Sequence, residues 1–531
     1  MREFNTTGLC VPEYHYMVDI EERLKEMKRL VDNQKYFVIN RARQYGKTTT
    51  LYALEKYLSN DYLVVSMDFQ RQLSHAAFET EQTFSTALAY AFLESLTDQN
   101  ALFVTKSVKS LKDFLSGKKE EIHLVSLFRH LNSVCAESVR PIVLVIDEVD
   151  SASNNQIFLD FLAQLRGYYL NRFRKKTFHC VILAGLYDIK NLKTKIRPED
   201  QHKLNSPWNI AVDFEMDMSF SAKEIIKMLT DYEEDMHTGM NLSDISQLLY
   251  DYTAGYPVLV SKLCKLIDEE LPKSEKYQSL SDAWTKEGFL DAERILLNES
   301  NTLFESMVEK LAAYPELKNM ILRMLFTGEE QLYNPDTYVI NLAIMFGFIK
   351  RREGRIEIAN RIFETRLYNL FLSEAEMRKN GLYQYSISEK NQFVVDGYLD
   401  MRKILEKFTE HFQEIYGSCG SKFVEENGTR FFLLYIRPII NGSGNYYVEA
   451  QTRDRKRTDI IIDYHHEQYI IEVKIWHGEE YNRRGELQLK EYLDYYHKDK
   501  GYMLSFNFNQ KKKTGVHEVI VGNKTILEAV I

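Results

Sequence analysis

The sequence predicts an α/β chain: a parallel sheet covered by helices, then a helical middle, then a second and smaller α/β domain. Three observations predict it. Short apolar runs at Tyr36–Ile39, Tyr62–Asp68, Ile142–Ile146 and Val181–Ala184 alternate with longer stretches of helical rhythm. That is the pattern of parallel strands buried on both faces. Gly46-Lys47-Thr48 follows the first run, and Asp147-Glu148 closes the third. Near the C-terminus, Asp459 opens an isoleucine run and Glu472-Val473-Lys474 closes the next one.

Size and composition set the bounds. A chain of 531 residues exceeds one ordinary core, so two to four domains are expected. Hydrophobic residues at 44% and aromatics at 13% are enough to fill sizeable cores. No apolar stretch reaches the roughly 20 residues of a membrane-spanning helix, and Met1–Thr6 lacks a signal-peptide core. Cys10, Cys135, Cys180, Cys264 and Cys419 are scattered without a CxxC pair. They read as reduced thiols of a cytoplasmic protein with no membrane partner. The net charge of −9 argues against a protein coated in nucleic acid but leaves room for a local basic patch.

The first elements frame a phosphate site. Ile20, Leu24, Met27 and Leu30 recur at helical spacing before the strand Tyr36–Ile39. The loop Asn40–Thr49 follows, and a helix is expected over Lys47–Leu58 with its N-terminus toward the loop. Such a terminus offers backbone N–H groups to anions. Lys47 is expected on the β- and γ-phosphates of ATP, and Thr48 on Mg²⁺. Arg43, Gln44, Tyr45, Gly46 and Thr49 complete the expected ATP-binding loop with Asp147. Asp147 would hold the metal's water shell, and Glu148 would act as general base. The alternative is an incidental Gly-Lys-Thr in a strand-turn-helix. Arg41 stands where the usual first glycine of such a loop would be, and with Arg43 it either adds charge near the phosphates or lies on the outer face. A fifth strand is expected at Ile210–Val212.

These residues resemble a known family: bacterial AAA-like P-loop ATPases, related to the STAND group, with a C-terminal PD-(D/E)XK nuclease domain. The likeness rests on Asn40–Thr49, Ile146–Asp150, Ala184–Asp188, Asn205–Asn209 and Gly255-Tyr256-Pro257. It implies that arginine in place of the first glycine is usual for the family. It also implies that adenine sits near Tyr14–Asp19, and that helices after residue 214 form a lid. Arg197 is a candidate arginine finger or a plain surface residue. A finger supplied by a neighbour would imply a homo-oligomer assembled with ATP. The expected division is 1–214 for the ATPase core, 215–298 for the lid, 299–382 for a winged helix and 383–531 for the nuclease-like domain.

In the lid, helices are expected at Ala222–Tyr232, Leu242–Tyr252 and Val258–Leu271, the last started by Pro257. Alternation around Glu353-Gly354 predicts a hairpin wing. Lys350, Arg351, Arg352 and Arg355 either touch DNA phosphates there or belong to a packing scaffold.

The last segment carries the second chemistry. Helices over Tyr398–Ile415 and Phe423–Ile436 precede strands at Tyr446–Ala450, Thr458–Tyr464, Gln468–Lys474 and Tyr502–Phe508. Asp459 with Glu472-x-Lys474 fits a metal-dependent phosphodiesterase, because residues two apart on a strand share a face. Asp459 and Glu472 would hold Mg²⁺, and Lys474 would position water. The alternative is a solvent-facing Glu-x-Lys on an edge strand. Glu426 (or Glu425), Gln488 and Tyr492 are expected supports. Arg453, Arg455, Lys456 and Arg457 are expected on a nucleic-acid backbone, with DNA as the expected partner. Lys511–Lys513 is a second basic cluster, and His465-His466 reads as an exposed turn. The competing functional class is a nucleotide-dependent switch or DNA-binding scaffold, whose nuclease fold only binds.

Overall fold

A computed structural model describes the chain apart from residues 1, 99–105, 118–120, 153–154, 186–209, 215–216, 328–331, 374–380, 417–424, 441–443, 452–456, 466, 477, 508 and 510–511. It divides into two compact units. The first is Met1–Glu234 with Tyr256–Ser261 and Met345–Gly347; the second is Asp235–Gly255, Lys262–Ile344 and Phe348–Ile531.

The first unit is built on a sheet of β1 (Phe37–Asn40), β2 (Leu63–Asp68), β3 (Ile142–Asp147), β4 (Cys180–Gly185) and β5 (Val212–Asp213), in the order β2-β3-β4-β1-β5. Every pairing is parallel. Alternate strand residues enter two separate cores. Val38, Val65, Leu144, Ile146 and Leu183 meet Phe84, Phe128, Phe161 and Leu165 on one face. Phe37, Val64, Val143, Val145 and Ile182 meet Leu24, Met27, Leu51 and Leu54 on the other. Two apolar faces oblige helices on both sides, which is why the strands read as unbroken hydrophobic runs. The helix after the first strand runs over Lys47–Leu58, as its sequence predicts. Strand β4 lies between β1 and β3, so the two halves of the expected phosphate site flank a third strand.

In the second unit the helix starts were written in the sequence. Asn241, Thr285, Asn301 and Asn360 each accept a hydrogen bond from the backbone N–H three residues on, which opens Leu242–Thr253, Lys286–Asn298, Thr302–Ala313 and Arg361–Leu372. The helix expected over Val258–Leu271 instead runs over Pro257–Lys265, widens into a π turn at Leu266–Glu270 and ends in a 3₁₀ turn at Leu271–Lys273. Pro272 supplies the reason, since it lacks an N–H and its ring crowds the preceding turn. The expected hairpin is present: β6 (Ile349–Arg352) pairs with β7 (Arg355–Ile358) across Glu353 and Gly354, both at positive φ. Lys350 and Arg352 lie 3.3 and 3.5 Å from the Glu357 carboxylate, and Arg351 stacks over Tyr333. Lys350, Arg351 and Arg352 thus have partners within the fold.

A small hairpin follows, β8 (Val394–Val395) with β9 (Tyr398–Leu399). The next helix therefore begins at Met401 and not at Tyr398. The C-terminal sheet has the order β10-β11-β12-β13-β15-β14, from β10 (Gly444–Gln451), β11 (Arg457–Tyr464), β12 (Glu467–Ile475), β13 (Lys500–Phe506), β14 (Gly515–Val521) and β15 (Lys524–Val530). The pairs β12–β13 and β13–β15 are parallel, and the rest are antiparallel. The helix Glu479–Tyr495 makes the crossover from β12 to β13. Its Leu489, Tyr492 and Leu493 pack on Ile470, Met503 and Ile526. No strand is expected from the sequence after Tyr502–Phe508, and the structure adds the hairpin β14–β15.

Candidate functional site

The phosphate loop leaves β1 at Asn40 and enters its helix through Gly46 at φ 75°, a left-handed turn that glycine adopts without strain. Lys47 is buried, and its ammonium donates to the Arg41 and Ala42 carbonyls at 3.0 and 3.2 Å. The lysine head thus sits inside the curl of its own loop. The Thr48 hydroxyl donates to the Asp147 carboxylate at 2.7 Å. The two halves of the site, ninety-nine residues apart in the chain, meet at that bond. Asp147 is fixed further by the Glu148 N–H at 2.9 Å. Glu148 has φ 51°, a conformation non-glycine residues seldom adopt.

Burial sets the electrostatics. It raises the Asp147 carboxyl above its ordinary range, while the Thr48 hydroxyl and the Glu148 N–H favour the ionised form. Burial also raises Glu148, with Lys47 opposing and Asp147 adding to the effect. Burial lowers Lys47, offset by Glu148, Asp150 and Asp147. Burial thus disfavours the charged form of each of three neighbouring groups, one cation and two carboxyls.

The loop arginines take different paths. Arg41 reaches across the loop and donates to the Asn40 and Phe214 carbonyls at 2.9 and 3.2 Å. It braces the loop against the chain after β5. The Arg43 side chain is exposed, and its carbonyl accepts the Tyr256 hydroxyl at 2.7 Å. Gln44, at φ 59°, turns the chain toward Tyr45, whose hydroxyl pairs with Ser219 at 2.9 Å. Tyr45 and Tyr256 meet edge to face at 4.5 Å. Thr49 accepts the Cys10 N–H at 3.2 Å. Beside it opens a cavity of about 720 Å³ whose lining includes Cys10, Met17, Val18, Thr49, Tyr52 and Thr230. That volume is within the range of small-molecule sites. His15 braces its own turn by accepting the Val11 N–H at 2.9 Å. Arg197 lies outside the described residues.

In the C-terminal sheet, Glu472 is fully buried on β12 and its carboxylate lies 2.9 Å from the Lys474 ammonium. Ile460 pairs with Ile471 in the β11–β12 register, and Asp459 and Glu472 are the next residues along their strands beyond that pair. Gly485 lets the crossover helix approach, because a Cβ there would lie 3.2 Å from the Lys474 side chain. Gln488 donates to the Tyr492 hydroxyl at 2.8 Å on the same helix. Glu425 and Glu426 open the helix Glu425–Ile440. Arg457 begins β11, while Arg453, Arg455, Lys456 and Lys511 lie outside the described residues. Among the described residues no group of three or more His, Cys, Asp or Glu is disposed to hold a metal ion.

Sequence reasoning missed a neighbouring polar cluster. Glu528 on β15 is buried and accepts Asn482 at 2.9 Å, Ser505 at 2.5 Å and His517 at 3.1 Å. Ser505 pairs with Lys474 in the β12–β13 register, so the cluster lies one strand from the Glu472–Lys474 pair. The available signal was the alternation within Thr525–Val530, where a glutamate interrupts an apolar strand.

A five-stranded parallel sheet with a lysine-bearing phosphate loop, joined to an acidic strand end through Thr48 and Asp147, defines the P-loop class of ATPase-type domains. Residues 17–365, more than half of the chain, match the AAA-like domain family, and the chain belongs to that family. The chain is similar to several solved structures at low identity. The Walker-type ATPase of Pyrococcus abyssi is 14% identical, over 68% of this chain and 99% of that one, with a TM-score of 0.48. Cdc6p of Pyrobaculum aerophilum is 13% identical over 69% and 96%, with a TM-score of 0.33. The Aeropyrum pernix ORC1 protein, solved in complex with DNA, is 13% identical over 68% and 95%, with a TM-score of 0.31. No curated protein matches the chain. Among the described residues no helix is long and apolar enough to cross a membrane.

Proposed function

We propose that the protein is an ATP-hydrolysing switch whose nucleotide state controls a metal-dependent phosphodiesterase acting on nucleic acid, with DNA as the first substrate to test. The Thr48–Asp147 bond carries the ATP half of the reading. Lys47 would engage the terminal phosphates, and the loop N–H groups at the head of Lys47–Leu58 would hold the rest. Thr48 and Asp147 would hold Mg²⁺, which when bound supplies positive charge against the phosphates. Glu148, kept near Asp147 by its unusual backbone, would take the proton from the attacking water. The cavity beside Thr49 would receive the base.

The cleavage half rests on the Glu472–Lys474 pair and on the register position of Asp459. A divalent cation held by Asp459 and Glu472 would supply Lewis acidity at the phosphodiester. Lys474, already beside Glu472, would orient water there. Gly485, Gln488 and Tyr492 would keep the crossover helix seated over the pair. Arg453, Arg455, Lys456 and Arg457 would hold the nucleic-acid backbone, and Glu426 would add a carboxylate.

The test compares wild type with Lys47→Ala, Glu472→Gln and Lys474→Ala. ATP turnover is expected to vanish only in the first. Cleavage of linear and circular DNA in Mg²⁺ or Mn²⁺ is expected to vanish in the other two and to change with ATP in the wild type. Cleavage that survives Glu472→Gln overturns the assignment of the metal site.

One observation favours a second reading. Glu472 is wholly buried and already paired with Lys474, as in a nuclease fold kept only for binding. That reading expects metal-independent DNA binding, no cleavage and slow ATP turnover.

A further inference from the structure

The helix Gln156–Leu170 ends in a tip that no part of the proposed reaction uses. Leu170–Thr177 reads Leu-Asn-Arg-Phe-Arg-Lys-Lys-Thr: four cations and no acid, in a chain of net charge −9. Among the described residues none of Arg172, Arg174, Lys175 and Lys176 forms an ion pair. The turn is nonetheless well tied. The Arg174 and Lys175 N–H groups both donate to the Asn171 carbonyl, at 2.9 and 3.0 Å.

A stack runs outward through this tip. Tyr36, in the core, lies 4.4 Å from Tyr169. The Arg172 guanidinium lies 3.9 Å from the Tyr169 ring and 4.3 Å from the Phe173 ring, and it donates to the Tyr169 carbonyl at 2.9 Å. Tyr169 is 7% exposed, whereas Phe173 is 82% exposed with Leu170 beside it at 59%. The outermost ring is thus backed by a rigid cation and a buried aromatic, and it is left open to solvent among Arg174, Lys175 and Lys176. An exposed ring costs solubility, and packing does not account for it, because nothing in its own unit covers it.

We propose that this tip binds single-stranded nucleic acid. A base would stack on the open face of Phe173, and the flanking phosphates would meet Arg174, Lys175 and Lys176. An aromatic platform amid unpaired cations is the chemistry of single-strand binding. A duplex hides its base faces, and an acidic peptide would gain from the cations but has no need of an aromatic ring. The tip precedes β4, whereas the phosphate loop follows the far ends of the strands, about 20 Å away along six residues of strand. The contact is therefore separate from the nucleotide site, and it does not depend on the cleavage reading.

The test uses the full chain in EDTA without nucleotide, with fluorescein-labelled oligo(dT), oligo(rU) and a duplex of equal length. Phe173→Leu keeps the apolar bulk and removes the π face; Phe173→Trp keeps the face and adds a reporter. Single strands are expected to bind more tightly than duplex, Phe173→Leu to weaken them about fivefold or more, and Phe173→Trp to gain a fluorescence that the oligonucleotide quenches. The ratio of oligo(dT) to oligo(rU) affinity identifies the strand chemistry. Unchanged ATP turnover in both variants shows that the fold is intact. If Phe173→Trp shows no quenching beyond the wild type, the stack is not used and the proposal fails, whatever the total affinity. Equal affinity for duplex and single strand, sensitive only to Lys175→Glu and Lys176→Glu, also overturns it.

Discussion

The Tyr256 hydroxyl donates to the Arg43 carbonyl at 2.7 Å, so a residue more than two hundred positions downstream holds the outer wall of the phosphate loop. Its ring also touches Tyr45, whose hydroxyl pairs with Ser219. Gly347 completes the enclosure: a Cβ there would lie 2.9 Å from the Ala42 side chain.

Tyr256→Phe is expected to keep the ring contact and release the loop carbonyl. A hydrogen bond of this kind is worth about 0.5–1.5 kcal/mol. Affinity for a fluorescent ATP analogue should fall by roughly three- to tenfold, with a small drop in thermal midpoint. An unchanged affinity would show that the loop keeps its shape without the clasp.

Asp147→Asn is expected to abolish ATP turnover and yet to stabilise the nucleotide-free protein at neutral pH. Burial raises the Asp147 carboxyl, so the folded state holds its proton to higher pH than the unfolded chain does. Stability is therefore lost as pH rises from the ordinary carboxylate range through the raised value. The wild type bears this penalty in full above that window and not at all below it. Urea unfolding at a series of pH values should show the gain of Asp147→Asn shrinking toward zero as pH falls. A gain that is independent of pH would rule out the linkage.

Gly185→Ala probes the strand between the two halves of the site. A Cβ at this position would lie 2.6 Å from the Asp150 carboxylate and 2.9 Å from Val149. Both belong to the turn that follows Glu148. The segment must shift, at a cost of about 1–3 kcal/mol, and ATP turnover should fall more than ATP affinity. Steady-state kinetics separate the two, and an equal loss in both would place the damage in nucleotide binding.

Asn482→Ala removes a donor to buried Glu528 and an acceptor for Ser505. Leaving such a carboxylate short of a partner costs about 1–3 kcal/mol. The urea midpoint should drop accordingly, and Glu528→Gln should recover part of the loss in the double variant. Additive losses would mean that the two residues do not act together.

Much of this was legible in the sequence because it rests on local rules. The helix Lys47–Leu58 was set by its glycine turn and apolar spacing, and the strands of the first sheet by their unbroken hydrophobic runs. Two further hairpins carry turn signals of their own. Asp396-Gly397 and Gly522-Asn523 are two-residue turns between strands, with positive φ at Asp396, Gly397 and Gly522. What no local rule carries is pairing at a distance. Asn482, Ser505 and Glu528 come from a helix and two strands, and each is unremarkable by itself. The path of Arg41 to the Phe214 carbonyl depends on β5 lying beside β1.

The clasp by Tyr256 and the wall at Gly347 make the first unit discontinuous in the gene. Its residues come from Met1–Glu234, Tyr256–Ser261 and Met345–Gly347. A reading frame stopped at Glu234 would encode the whole sheet, Lys47 and Asp147, yet it would deliver a phosphate loop with no lining on its outer side. Activity missing from such a fragment would say nothing about the catalytic residues. A fair dissection must carry the chain through Gly347, and it is there, not at the end of the sheet, that the smallest self-sufficient nucleotide-binding piece should be sought.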